Sequence, residues 1–407
     1  MSVMTGTERF SALSHRDFRL FLLGQTISLS GTWMQSVAQG WLVYSLTKSP
    51  FYLGIVAAAS ALPIMLFTLI GGVVADRVPK RDLLLFTQAM SILPAMALGI
   101  LTSMGTVTVW QIAVMAFILG SINAIDIPAR QSFLAEMVGK GDIANAIALN
   151  SAAFNGSRII GPVIAGLSIT HLGMPACFFI NALSFLAVIV ALAKMETTGR
   201  SEVKSEGIIN DVMKGIYFLR GREEMLHVIG LIAVFSLVGI PYISLIPVFA
   251  GEIFNTGPRG LGFLVGASGI GALIAALGLA AAGNINNKSR FMSAAALCFS
   301  IALISFAVSK IFLLSLVVIA ACGWGMVSYL ATANSYIQVS VPDELRGRVM
   351  SVYSFVFLGL VPIGNMVMGL SADLIGTTRA VLAGGIICLV SSLIFSLKYW
   401  GPSQKAN

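Results

Sequence analysis

Two charged residues stand where the chain is otherwise apolar, and they carry the clearest chemistry in it. Arg158 lies about fourteen residues into an apolar helical stretch, which at about 1.5 Å per residue places it near the middle of a bilayer. A charge there is costly unless an anion or a polar cavity receives it, so Arg158 reads as half of an ion pair or as a group that handles substrate or protons. Asp126 is an acidic residue inside an apolar run, nearer its cytoplasmic end. It could pair with Arg158, directly or through water, or have its charge offset by Arg130, which shares a helix face with it and Asn123, and it would be the proton carrier if movement through the protein is proton-coupled. The first apolar run holds no acidic residue, which weakens the coupling. That run does hold Gln25, Ser28, Thr32, Gln35, Ser36 and Gln39, recurring every three or four positions and so forming one stripe of a helix. Helix–helix hydrogen bonding is one use for such a stripe; water or substrate in a central cavity accounts better for three glutamines.

The elements that must position these residues follow from composition. The chain has 407 residues, 57% hydrophobic and 10% charged, with a mean hydropathy of +0.91. A soluble domain is nearer a quarter charged. At about 20 residues per span plus short loops, this length fits about twelve transmembrane helices and leaves no soluble domain. The runs lie at about Phe18–Tyr44, Tyr52–Ala75, Leu83–Thr102, Val109–Ile127, Ala144–Leu172, Ala176–Ala193, Leu226–Phe249, Leu261–Ala282, Met292–Val308, Leu313–Ile337, Val349–Leu374 and Ala380–Tyr399. The fold class is therefore all-α and integral to the membrane. A polar stretch near the middle divides the chain into six helices (1–194), a linker (195–224) and six more (225–407), and Ile208–Leu219 within the linker has helical spacing suited to the membrane surface. Only Lys48, Arg259, Lys310 and Arg379 fall in loops on one side. The remaining Lys and Arg, apart from Arg158, fall on the other side or in a tail, which makes that side and both termini cytoplasmic.

An internal repeat supports two like halves. At an offset of 203 residues Gly120 meets Gly323, Ser132 meets Ser335, Ser151 meets Ser354, and Phe154 meets Phe357. Gly156, Gly161 and Gly166 meet Gly359, Gly364 and Gly369 at the same offset. Parallel repeats of this kind are an arrangement found in transporters.

Other functions lose ground on inventory. His15, His171 and His227 lie at helix ends or in the tail, Cys177, Cys298, Cys322 and Cys388 have no metal-ligand spacing, and no phosphate-binding G-x-x-x-x-G-K-[ST] occurs. An enzyme, a metal site, a cofactor and nucleotide-driven pumping are not expected. The net charge of +8 fits basic cytoplasmic loops and not nucleic-acid binding.

Gly72, Asp76, Arg77, Lys80 and Arg81, between the second and third runs, resemble the signature loop of the major facilitator superfamily, with Pro79 standing where many members have Gly. Gly161-Pro162 with Gly166 resembles the kinked helix 5 motif of its antiporters. Further matches are Arg16-Asp17-Phe18-Arg19, Gly31-Thr32-Trp33-Met34-Gln35, Trp41-Leu42-Val43-Tyr44, Pro128-Ala129-Arg130-Gln131 and Leu345-Arg346-Gly347-Arg348. They resemble the bacterial branch of transmembrane secretion effectors that includes the enterobactin exporter, and they span nearly the whole chain. The resemblance implies the major facilitator fold in two six-helix bundles and export of a small, siderophore- or drug-like molecule by alternating access, driven by protons. The protein would be a monomer in the bacterial cytoplasmic membrane. A lipid flippase of the same fold is the alternative. Helices 1, 4, 7 and 10 would line the cavity, making Gln25, Thr32, Gln35, Gln39, Asn123, Tyr242, Ser328 and Thr332 the substrate candidates. Gly72, Asp76, Arg77, Lys80 and Arg81 would form a cytoplasmic latch with Arg130, opposed by Arg346 and Arg348.

Overall fold

The computed structural model describes residues 8–199, 217–283 and 285–399. Most of the expected linker, including the start of its surface helix, lies outside the described residues. Within them the chain forms a short 3₁₀ turn at Glu8–Ser14 and twelve long helices. These are α1 (Arg16–Thr47), α2 (Pro50–Arg77), α3 (Lys80–Ser103), α4 (Val109–Gly139), α5 (Gly141–Leu172), α6 (Met174–Ala193), α7 (Glu223–Ile253), α8 (Gly257–Ala282), α9 (Lys288–Val308), α10 (Phe312–Ser340), α11 (Asp343–Ile375) and α12 (Thr377–Tyr399). Eleven are long and apolar enough to cross a membrane. The twelfth, α1, has the length, at 32 residues, and its polar stripe lowers its hydropathy.

The helices run further at their basic ends than the apolar runs suggested. The expected loop Gln131–Gly141 is helical: α4 continues to Gly139, which alone departs from helical geometry (φ 70°, ψ 176°) before α5 begins. Glycine adopts that left-handed φ without steric cost, so two helices meet with almost no loop. The basic connection between the second and third runs likewise shrinks to Val78-Pro79, since α2 keeps Arg77 and α3 starts at Lys80. Charges mark where a helix leaves hydrocarbon, not where it ends. Unforeseen too were two π-helical segments in α7, Phe235–Gly239 and Phe249–Ile253, flanking Pro241.

The chain separates into two compact units. One contains α1 up to Leu42 and α2 from Leu62 through α6; the other contains Val43–Ala61 and α7 to α12. In hydrocarbon, helices gain little by hiding apolar side chains from one another and associate through close approach at small residues. A Cβ on Gly161 of α5 would lie 2.5 Å from the Ser30 carbonyl oxygen and 2.7 Å from Trp33 Cβ of α1. Gly31 of α1 abuts Asn181 and Ser184 of α6, and Gly71 of α2 abuts the Ala124 carbonyl of α4. In the second unit a Cβ on Gly364 of α11 would lie 2.7 Å from the Leu237 carbonyl oxygen of α7. Gly384 of α12 faces the Val238 carbonyl of α7, and Gly271 of α8 faces that of Ala320 on α10. The contacts 1·5, 1·6 and 2·4 thus recur as 7·11, 7·12 and 8·10, and Gly161 and Gly364, 203 residues apart, hold equivalent seams.

Within the second unit, Val43–Ala61 packs on α7 and α11. A Cβ on Gly54 would lie 2.5 Å from the Asn365 carbonyl oxygen, Ser49 Oγ donates to Asp373 Oδ1 at 2.7 Å, and Tyr44 Oη donates to Glu252 Oε1 at 3.3 Å.

Replacing Gly161 or Gly364 with leucine forces a side chain into a neighbouring backbone and is expected to destabilise by about 1–3 kcal/mol. Gly156, one turn from Gly161 and with nothing within 4 Å of its would-be Cβ, should accept alanine without loss. Thermal unfolding of the purified proteins in detergent measures the contrast.

Candidate functional site

The first unit is built around Asp126, 1% exposed. Because α4 runs on to Gly139, this carboxylate lies about 20 Å from the helix end by rise per residue, deeper than its place near the end of the apolar run implied. Its Oδ1 accepts from Thr87 Oγ1 at 2.7 Å and from Gln88 Nε2 at 2.8 Å, both on α3. Its Oδ2 accepts from Arg130, one turn on. The i, i+4 spacing puts Asp126 and Arg130 on one face. Of the two arginines that sequence reasoning offered it, Arg158 and Arg130, Asp126 pairs with Arg130. Arg158 is half-buried, its guanidinium 5.7 Å above the Trp33 ring in a cation–π contact, and Trp33 meets Phe154 edge to face. Thr87 and Gln88 were not anticipated, although two adjacent polar residues inside an apolar run were a visible signal.

The α1 stripe divides. Gln35, 2% exposed, accepts at Oε1 from Asn181 Nδ2 of α6 at 2.6 Å. At this position the helix–helix hydrogen bond, the plainer of the two uses, is the one the structure displays. Asn181, a lone amide in an apolar run, was also missed. Thr32 Oγ1 donates to the Ser28 carbonyl at 3.0 Å. Gln25 is buried, and its Oε1 has no partner among the described residues; Gln39 and Asn123 are half-buried. In the second unit Tyr242 is fully buried, its ring centroid 6.4 Å from that of Phe299 and 6.2 Å from that of Phe306, both on α9. Ser328 and Thr332, one turn apart on α10, are buried with hydroxyls that find no partner among the described residues. A buried hydroxyl without a partner is costly, so water or a ligand group would be favoured there.

The signature loop is anchored inside its own unit. Lys80 Nζ lies 2.8 Å from Glu136 Oε1 on the α4 extension. Arg81 donates from Nε to the Leu192 carbonyl at 2.8 Å and from its terminal nitrogen to that of Ala193 at 3.2 Å, which satisfies the open C-terminus of α6. Asp76 and Arg77 project into solvent at the end of α2, and Gly72 has open space around it. Arg346 Nε donates to the Gln338 carbonyl near the end of α10 at 3.0 Å, and Arg348 is half-buried. Pro162 and Gly166 lie within a continuous α5. Ahead of the first apolar run, Asp17 Oδ2 accepts from the backbone N–H groups of Glu196 and Thr197 and from Thr197 Oγ1, at 2.8–3.0 Å. Burial works to raise its pKa, but these bonds and Arg16 hold it below the usual carboxylate value.

With these features in place, comparison with known proteins settles the class. Residues 7–406 match the family of transmembrane secretion effectors, and the chain belongs to that family of major facilitator transporters. It is a membrane transporter, not an enzyme. It is 26% identical over 382 residues to the staphyloferrin A transporter of Staphylococcus aureus, covering 93% of this chain and 95% of that one. It is 27% identical over 405 residues to the multidrug efflux pump Tap of Mycolicibacterium fortuitum, covering 96% of each. Among solved structures it resembles a bacterial homologue of the human lysosomal transporter Spinster, in its inward-facing and unoccupied conformation (TM-score 0.72, 12% identity, 98% of this chain and 100% of that one). It also resembles a POT family transporter in complex with 5-aminolevulinic acid (TM-score 0.76, 12% identity, 94% and 96%). At these identities the structural likeness speaks to fold alone.

Two outcomes are expected. Gln35→Ala and Asn181→Ala should each lower the melting temperature, with a coupling of about 0.6–1.7 kcal/mol in a double-mutant cycle. Asp17, with a depressed folded pKa, adds stability that is present above its unfolded value of about 3.9 and lost as pH falls through the folded value. The stability gap between wild type and Asp17→Asn should therefore be open at neutral pH and close as pH falls through the folded value in pH-resolved melting curves.

Proposed function

We propose that the protein exports a small organic molecule across the bacterial cytoplasmic membrane by alternating access, exchanging it for protons at Asp126. The observation that carries this reading is a carboxylate 1% exposed, deep in a membrane helix, with donors on both oxygens. An ionisable group in such a place is a candidate for function by default. In the ionised form it accepts from Thr87, Gln88 and Arg130. A proton on it would remove the charge opposite Arg130 and convert one oxygen from acceptor to donor. The bonds between α3 and α4 would then have to rearrange, which makes protonation the trigger for helix movement in this reading.

Relatives support the direction and the cargo. The similar proteins include the staphyloferrin A transporter, the Tap multidrug efflux pump and the macrolide efflux protein A of Streptococcus pyogenes. The basic ends of the helices face the cytoplasm in this reading, with both termini there. Gln25, Thr32, Gln39, Asn123, Ser328 and Thr332 are the groups proposed to meet substrate, Ser328 and Thr332 because their hydroxyls are unsatisfied. Lys80 and Arg81 fix the connection that presents Asp76 and Arg77, the proposed latch.

Efflux of a macrolide, a cationic dye and a carboxylate siderophore from a pump-deficient strain, with and without an uncoupler, tests the proposal. At least one compound should be exported, the uncoupler should stop it, and Asp126→Asn should slow it by about tenfold or more at equal membrane abundance. Export by Asp126→Asn at the wild-type rate would end the assignment.

A further inference from the structure

At the sparsely charged end of the second unit, where α7 finishes and α12 begins, lies a hollow of about 300 Å³. Glu252, Ile375, Thr377, Thr378 and Arg379 line it. Glu252 and Arg379 are both exposed and carry opposite charges on one hollow, yet no ion pair joins them among the described residues. Glu252 is instead oriented by the Tyr44 hydroxyl at 3.3 Å. Lys48 rests its ammonium 4.2 Å over the Tyr44 ring, outside the lining. The floor on the other side is the first turn of α12. Its opening N–H groups have no partner within the helix, and its end of the helix dipole favours an anion. One hollow therefore offers a carboxylate on one side, and a guanidinium, two threonines and a helix N-terminus on the other.

We infer that this hollow binds the aminoethyl phosphate headgroup of a zwitterionic phospholipid, its ammonium on Glu252 and its phosphate on Arg379 and the start of α12. A single ion satisfies one side and leaves the other unmatched; a short zwitterion matches both. A membrane lipid is the source because the hollow opens at the end of two spans. Its Ile375 is 47% exposed, and Leu374 beside it is 74% exposed. Acyl chains can run from there along the exposed Leu370 and Met366 of α11. Phosphatidylglycerol, which has no cation, forgoes the Glu252 half, and phosphatidylcholine, whose trimethylated nitrogen keeps its charge but donates no hydrogen bond, meets it only in part.

The full-length protein in detergent is given equal amounts of phosphatidylethanolamine, phosphatidylcholine and phosphatidylglycerol, and retained lipid is counted by native mass spectrometry. Phosphatidylethanolamine should be retained about threefold to fivefold over the other two, the scale of one exposed charge pair. Glu252→Gln should bring it down to the level of phosphatidylglycerol, Arg379→Gln should reduce retention of all three, and Arg379→Lys should keep most of it. Matching melting temperatures exclude misfolding of the variants. Equal retention of all headgroups by the wild type, or wild-type behaviour of both Gln variants, would overturn the inference. Release of the bound lipid by an equal concentration of soluble phosphoethanolamine would overturn the lipid source in favour of a free zwitterion; retention upholds it.

Discussion

In lipid, a leucine gains nothing by leaving the solvent for another leucine, so the helices of this protein must be held by something other than hydrophobic burial. What holds them is the approach of backbone to backbone at glycine. Gly161 against Ser30, Gly31 against α6, and Gly364 against α7 leave no room for even one added carbon. Dispersion over such close surfaces is collectively large, though each contact is small. Because the fit depends on atoms a few ångströms apart, a helix can move along such a seam only as a body. That property suits elements that shift relative to one another without unfolding.

Polar groups are then set into this frame and must be satisfied where they stand. Asp126 takes donors from two helices, Gln35 meets Asn181, and Arg158 lies over Trp33. Each is a different answer to the same penalty for an unmatched polar group away from water. Gln25, Ser328 and Thr332 are among the exceptions, with buried atoms that have no partner among the described residues.

The architecture was legible in the sequence because its determinants are coarse. Twelve apolar runs and the 203-residue offset need no knowledge of side-chain direction. The local interactions were less legible, for stated reasons. Charges after Ile127 suggested a loop, yet backbone bonds carry a helix on past the hydrocarbon edge, and only Gly139 stops it. Both Arg158 and Arg130 were open as counter-charges to Asp126, and the i+4 neighbour Arg130 is the one that pairs with it. Gln35 was counted with a cavity because periodicity shows that residues share a stripe but not what lies opposite. The deciding partner, Asn181, is 146 residues away.

The two units share their seams but not the regularity of their first helices. A regular helix advances about 100° per residue, and a π turn takes in one residue more. The segment Phe235–Gly239 therefore swings everything after it in α7 by roughly that angle relative to the uninterrupted α1. Tyr242, counted among the cavity residues on the resemblance, lies just beyond this segment and packs against Phe299 and Phe306 of α9. One half of the molecule thus carries a first helix that is α-helical throughout, and the other a first helix interrupted twice by π segments.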